Sequence, residues 1–276
     1  MYISDKFDPK ATAIIYNGDC RNLMRDMPAD FQVQLIITSP PYNIGKEYEK
    51  RIDLEEYKEW HREIIGQCYD KLSLIGSICW EVGNYVSNGQ IIPLDVILHP
   101  IFASFGLKLR NRIVWYFRHG LHCSRRFSGR YETILWFTKS DDYVFNLDAV
   151  RVPQLYPGKK YYKGLKKGQL SCNPKGKNPS DVWEDLALDF WDIPNIHHNM
   201  PGKTPHPAQF PEELVQRMIL ATTNEGDWVF DPFLGSGTTA IAALRLGRRI
   251  IGAEIKEEYI RFTYDRIYKL NLGLLR

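Results

Sequence analysis

The chain has 276 residues, 44% hydrophobic and 25% charged, with a formal net charge of +3. That describes an ordinary globular protein: one large domain, or a domain carrying an insertion. No apolar run approaches the roughly 20 residues that cross a bilayer, and the opening "MYISDKFDPK" lacks the apolar core of a secretory leader. No membrane partner is therefore expected, and a cytoplasmic location is. The five cysteines contain no C-x-x-C pair, and the nearest metal-like group, His119, His122 and Cys123, lacks a fourth ligand at suitable spacing. Neither a disulfide framework nor a metal is expected.

In chain order, "TAIIY" (residues 12–16) and "VQLIIT" (33–38) are short apolar runs of the kind buried inside a sheet. The second runs straight into Ser39, Pro40, Pro41 and Tyr42. Two prolines fix φ at consecutive positions, so the hydroxyl and carbonyl groups around them are held still. A run of helical periodicity follows over 54–72, where Tyr57, Trp60, Ile64, Cys68 and Leu72 recur at spacings of three and four. This stripe reads first as core packing and second as a homodimer face. "GSICWEV", "RNRIVWYF" and "ETILWFT" are further strands, rich in β-branched and aromatic residues. Between the last two lie Arg118, Arg125, Arg126 and Arg130, either a nucleic-acid contact or a basic surface hairpin.

From Ala149 to Ser180 there is no Asp or Glu. The same stretch holds Arg151, Lys159, Lys160, Lys163, Lys166, Lys167, Lys175 and Lys177, interleaved with Tyr156, Tyr161 and Tyr162. Concentrated positive charge with aromatics fits a phosphate-backbone binder, and a solvated loop is the competing reading. Periodicity stays weak until "DVWEDLALDFWDI". Residues 149–200 therefore read as an insertion between a first part, 1–148, and a third, 201–276. The third part returns to alternation: helix "FPEELVQRMILATTN", strand "DWVFDPF", turn and helix "GSGTTAIAALRLG", strand "RRIIGAEI" and helix "EEYIRFTYDRIYKL". Strands alternating with helices predict an α/β fold with a doubly wound, mostly parallel, Rossmann-like sheet.

"DPFLGSGTT" brings Asp231 and Phe233 to Gly235, Ser236 and Gly237, and Thr238 opens a helix. Glycines admit a ligand close to the backbone, and a helix N-terminus offers free N–H groups. Glu254 follows 17 residues after Gly237, at the end of the next strand, where an acid can accept from ribose hydroxyls. The pattern lacks the third glycine of the dinucleotide fingerprint and the G-K-[ST] of a P-loop. It predicts an adenosine-type cofactor.

"TSPPY" and "DPFLGSGTT" together resemble the catalytic and S-adenosylmethionine motifs of the DNA amino-methyltransferases. Their order, with a basic variable segment between them, resembles the β group of that family. "GRYETILWFTK", "WDIP" and "HPAQFPEELVQRMI" look similar too, so the resemblance covers nearly the whole chain. It implies the methyltransferase fold in permuted order, with 149–200 as target-recognition insertion. It also implies S-adenosylmethionine as cofactor and double-stranded DNA as partner, with a restriction endonuclease as a conceivable companion. Asp231, Phe233, Gly235, Ser236, Gly237 and Thr238 would then wrap the cofactor, with Glu254 on its ribose and Asp19 of "NGDC" beside its adenine. Asp19 reads equally well as a helix or turn cap. His206 and Gln209 match a cofactor-side motif in which Phe210 replaces the usual basic residue.

The exocyclic amine of a base is a poor nucleophile, because its lone pair is delocalised into the ring. Acceptors on both N–H bonds, here the Ser39 hydroxyl and the Pro40 carbonyl, would let it become tetrahedral. Tyr42 would stack on the flipped base, at a gain of roughly 1–3 kcal/mol. No Pro-Cys motif stands in this stretch, which disfavours carbon-5 chemistry. Within the family, Ser before Pro-Pro is more typical of cytosine-N4 enzymes, whereas Asn43-Ile44 looks like adenine-N6 enzymes. The target leans to cytosine N4, with adenine N6 as the alternative. RNA and protein-glutamine methyltransferases are more distant rivals, which usually carry Asn or Asp before Pro-Pro and the cofactor motif first. A non-catalytic DNA-binding module would not need both motifs.

Overall fold

The computed structural model describes residues 1–45, 49–118, 120, 122–184 and 211–274. In chain order these form β1 (Ile3–Ser4), β2 (Ala13–Asn17), α1 (Cys20–Asp26), β3 (Val33–Thr38), α2 (Leu54–Lys71) and β4 (Leu72–Val82). A hairpin of β5 (Asn84–Ser87) and β6 (Gln90–Pro93) follows, then α3 (Leu94–Ser104), β7 (Lys108–Tyr116) and β8 (Tyr131–Thr138). After them come β9 (Val182–Glu184), α4 (Glu212–Thr222), β10 (Trp228–Asp231), α5 (Thr238–Arg245), β11 (Arg249–Glu254) and α6 (Glu257–Asn271).

Among the described residues nine strands make one sheet in the order β1-β2-β11-β10-β3-β4-β8-β7-β9. All neighbours run parallel except β8, which is antiparallel to both β4 and β7. The fold is the expected α/β, mostly parallel sheet. β10 and β11 lie between β2 and β3, so the first and third parts of the chain share one sheet. The middle segment contributes β9 to its far edge.

The apolar runs are strands because both faces are covered. Ile36, Ile78, Phe230 and Ile251 point to a core built with α1, α2 and α3. Their neighbours Leu35, Ile37, Val229 and Ile250 point to the opposite core, with α4, α5 and α6. The period of two divides each strand between the layers.

Asp53 caps α2 by accepting from Glu55 N at 2.8 Å. The helix buries Tyr57, His61, Ile64, Ile65 and Cys68 and leaves Glu55, Glu56, Glu59, Arg62, Glu63 and Asp70 in water. Its apolar stripe is thus core, and its outer face is charged. The homodimer reading of this helix loses its apolar surface.

β10 feeds α5 and then β11 on one side, and β3 feeds α2 and then β4 on the other. The strand order reverses between β3 and β10, which opens a crevice at their carboxyl ends. Gly237 starts α5 in the left-handed region, at φ 82°. A Cβ there would meet Thr263 Oγ1 at 2.6 Å and Cγ2 at 2.7 Å. Gly237→Ala combines backbone strain with a clash against a buried side chain. It is expected to destabilise the protein by about 1–3 kcal/mol, read as a lower denaturant midpoint at unchanged m-value.

Candidate active site

The crevice at the strand reversal holds a cavity of about 220 Å³. Its walls come from four strand ends: Gly18, Asp19 and Cys20 after β2, Ser39 to Tyr42 after β3, Pro232 to Ser236 with Thr238 after β10, and Ala253 to Ile255 at β11. Trp60 of α2 completes it. The Pro-Pro corner and the glycine turn, far apart in sequence, share this one cavity.

Thr38 Oγ1 donates to Asp231 Oδ1 at 2.6 Å and fastens the two loops together. Asp231 also accepts from Phe233 N at 3.0 Å and from Thr239 Oγ1 at 2.5 Å. It is fully buried and does not line the cavity. Sequence reasoning placed it around the cofactor; the structure puts it beneath, holding the turn. Gly237 likewise stands behind the wall as the N-cap of α5.

Phe233, Gly235, Ser236, Thr238 and Glu254 do line the cavity. Glu254 Oε2 accepts from Gly235 N at 3.0 Å and Oε1 from Lys256 N at 2.8 Å. Burial raises its carboxyl, opposed by those backbone donors. Each oxygen keeps a further lone pair for a diol. The Phe233 ring lies 5.4 Å from Trp60, giving the cavity an aromatic side.

The capping reading of Asp19 holds, and the residue also faces the cavity. It caps α1, accepting from Arg21 N at 2.9 Å, and it lines the cavity. The Arg21 guanidinium, at 2.6 Å, holds its carboxyl below the usual range and also reaches Glu63 at 2.7 Å. His206 and Gln209 lie outside the described residues.

At the corner, Ser39 Oγ and Tyr42 Oη are 3.2 Å apart. Tyr57 Oη donates to the Pro41 carbonyl at 2.8 Å, and Pro40 lines the cavity beside Ser39. Burial, then the carboxylates of Glu132 and Glu81, push the Tyr42 phenol well above its ordinary value, so it stays protonated. Glu81 is 2% exposed, and its Oε1 has no hydrogen-bond partner among the described residues.

Sequence reasoning missed Tyr57, Glu81, Glu132 and Arg266. Arg266, nearly buried, donates to the Ser236 carbonyl at 2.8 Å and holds the glycine turn from α6. Only a lone acid inside the strand run "GSICWEV" hinted at any of them.

The basic residues divide. Lys159, Lys160, Lys163, Lys166 and Lys167 are exposed on a hairpin closed by the Lys160–Leu170 bridge. Lys175 and Arg151 are instead tied to Asp148, at 2.5 and 2.7 Å, and the Lys177 backbone pairs with Val152. Arg118, Arg125 and Arg126 are exposed, while Arg130 turns back on Gly129 O at 3.0 Å. The uniform basic tract of the sequence thus becomes an exposed lysine hairpin, with Lys166 over the Tyr161 ring, on a base tied to Asp148.

A family model described as DNA methylase matches residues 33–265. The chain belongs to the DNA methylase family. The methylase is 50% identical over 265 residues to the Type II methyltransferase M.BglII of Bacillus subtilis, covering 96% of this chain and 71% of that one. It is 33% identical over 271 residues to the DNA adenine methyltransferase YhdJ of Escherichia coli, covering 95% and 84%. Its fold matches the PvuII DNA methyltransferase (cytosine-N4-specific) with a TM-score of 0.70, 22% identity and coverage of 95% and 92%.

Burial lifts the Asp231 carboxyl of this methylase from 3.8 to about 6 against three donors. A carboxyl raised in the native state binds more protons folded than unfolded. Its contribution to stability is therefore fullest below pH 3.8, is lost as pH rises to about 6, and is flat above. Asp231→Asn should remove that part of the pH dependence, measured by urea unfolding from pH 4 to 7. An unchanged slope would refute the assignment.

Proposed function

We propose that this DNA methylase moves the methyl group of S-adenosylmethionine to the exocyclic amine of a base flipped out of duplex DNA. The observation that carries the reading is the meeting of corner and glycine turn in one cavity, clamped by the Thr38–Asp231 bond. The cofactor supplies an electrophilic methyl group. The residues present fit it: Glu254 for the ribose diol, Phe233 and Trp60 for a flat ring, and the backbone around Gly235 and Ser236 for the polar tail.

The chemistry belongs to the corner. In this reading the Ser39 hydroxyl, 3.2 Å from the Tyr42 oxygen, gives its single proton to that oxygen, and the Tyr42 phenol stays protonated beside the Glu132 and Glu81 carboxylates. Ser39 then meets the amine with lone pairs only, beside the Pro40 carbonyl. The two acceptors take both N–H bonds and free the nitrogen lone pair for in-line attack. Their preorganisation by two prolines limits the reordering needed during reaction. Tyr42 also offers its ring to the base.

Ser39 favours cytosine N4 as the target. Adenine N6 is the second reading, favoured by Asn43-Ile44 and by the adenine enzyme among the relatives. Mass spectrometry of DNA from expressing cells decides: N4-methylcytosine is expected, and N6-methyladenine alone would reverse the order. Residues 149–200 serve as the target-recognition insertion, acting in the cytoplasm where the DNA is. A restriction endonuclease cutting the same site is the expected companion, and expression of this chain should block its cleavage.

Ser39→Ala and Tyr42→Ala should each lower methyl transfer by roughly two orders of magnitude, with cofactor affinity kept. Loss of cofactor binding would assign the corner a structural role instead. Neutralising Lys163, Lys166 and Lys167 together should weaken binding to all duplexes and reduce the salt slope by roughly 3. Neutralising Lys175 should do much less, because Asp148 already pairs it. Equal effects at the two places would remove the hairpin as the phosphate contact.

A further inference from the structure

One residue past Tyr42 the backbone makes a device that the methyl-transfer chemistry does not use. Asn43 N donates to Glu49 Oε2 at 2.7 Å, and Ile44 N donates to Glu49 Oε1 at 2.8 Å. Two successive amides thus grip both oxygens of one carboxylate. Asn43 holds the amides in this arrangement by adopting φ 60°, a left-handed conformation uncommon for a residue with a side chain. The strain is fixed by a two-way clamp: Asn43 Nδ2 donates to Ile52 O at 2.9 Å, and Ile52 N donates to Asn43 Oδ1 at 2.8 Å.

Adjacent amides converging on one point form a concavity that binds anions of any source, phosphate included. The anion here is the chain's own. Among the described residues Glu49 has no cationic partner, since Arg51 nearby is engaged by Tyr85 and Ser87. Among the described residues the carboxylate is therefore held by backbone donors alone. Ile44 is exposed at the rim, and Asn43 is buried to 2%. A backbone strained and braced to this degree, beside the residue that receives the base, is a preformed site with an occupant of the right charge.

We infer that the Asn43 and Ile44 amides are the seat of a DNA backbone phosphate next to the flipped nucleotide, and that Glu49 occupies it as a stand-in until DNA arrives. The inference rests on the methylase reading and deepens it. A phosphodiester carries one negative charge and can present two oxygens, as the carboxylate does. Exchange therefore keeps both hydrogen bonds and the charge of the site. Glu49 returns to water, and the DNA strand is fixed one residue from Tyr42.

The test uses the full chain and a duplex carrying the sequence it methylates in cells. Each phosphate around the target nucleotide is replaced in turn by a neutral methylphosphonate. One flanking phosphate should prove sensitive, with binding weakened roughly tenfold, while phosphates beyond contact should not. Glu49→Gln, which removes the competing charge, should bind the unmodified duplex several-fold tighter. It should also lose more than the wild-type chain on the sensitive methylphosphonate. If the wild-type chain methylates the duplex yet no flanking phosphate matters, the seat is overturned and the methylase reading stands. Weaker binding by Glu49→Gln, with unchanged phosphate sensitivity, would make Glu49 a structural latch and overturn it too. Absence of methylation on any duplex would remove both together. The scan on the wild-type chain decides even if the variant does not fold.

Discussion

A single hydrogen bond, from Thr38 Oγ1 to Asp231 Oδ1, joins the last residues of β3 and β10. Everything that makes the site follows within a few residues of one end or the other. The corner begins at the next residue after Thr38, and the glycine turn begins after Asp231. Because strand order reverses between these two strands, their loops diverge to opposite sides and leave a crevice. The β3–β10 ladder sets the spacing of the two strands, and the bond carries that spacing to their last residues, where the corner and the turn begin. Asp231 does this as a buried carboxylate that has traded water for three short donors, a trade that is costly unless all three are present.

The same division of labour recurs around the cavity. Backbone groups of the cavity loops are set in position by long side chains packed against them. Tyr57 takes the Pro41 carbonyl, Arg266 takes the Ser236 carbonyl, and Glu254 takes the Gly235 amide. A backbone group has no rotamer of its own, so fixing the chain fixes the acceptor. The holding side chains come from α2, α6 and β11, elements that pack firmly on the sheet.

Much of this was legible in the sequence because it depended on local pattern. The runs at 33–38, 228–231 and 249–254 are strands where their apolar composition puts them, and the stripe from Tyr57 to Cys68 is buried as its period requires. The two motifs could be matched to a cavity because each lies directly after such a run. What could not be read depends on distant pairs. Nothing in "ETILWFT" distinguishes a strand antiparallel to β4 from a parallel one, since both are buried on two faces. Glu81 in a strand looks like a polar interruption until Tyr42 is placed beside it. Asp231 and Glu254 each follow an apolar run, yet one points under the turn and the other into the cavity. Lys175 and Lys163 look alike in a basic tract, and only the return of the chain to Asp148 separates them.

The order of the strands also bears on how the chain is made. Thr38 and Asp231 are 193 residues apart. During synthesis β2 and β3 emerge early, both apolar on two faces, and the edges that they turn toward each other have no partner. That slot is filled only when residues 228–254 supply β10 and β11 as a pair. A nascent chain that lacks its last quarter therefore carries an open seam through the middle of its sheet, the kind of edge that recruits strands from other molecules. Sealing the seam and assembling the active site are one event, so a chain interrupted before that point has no half-built site to misuse, but it has two adhesive edges to hide.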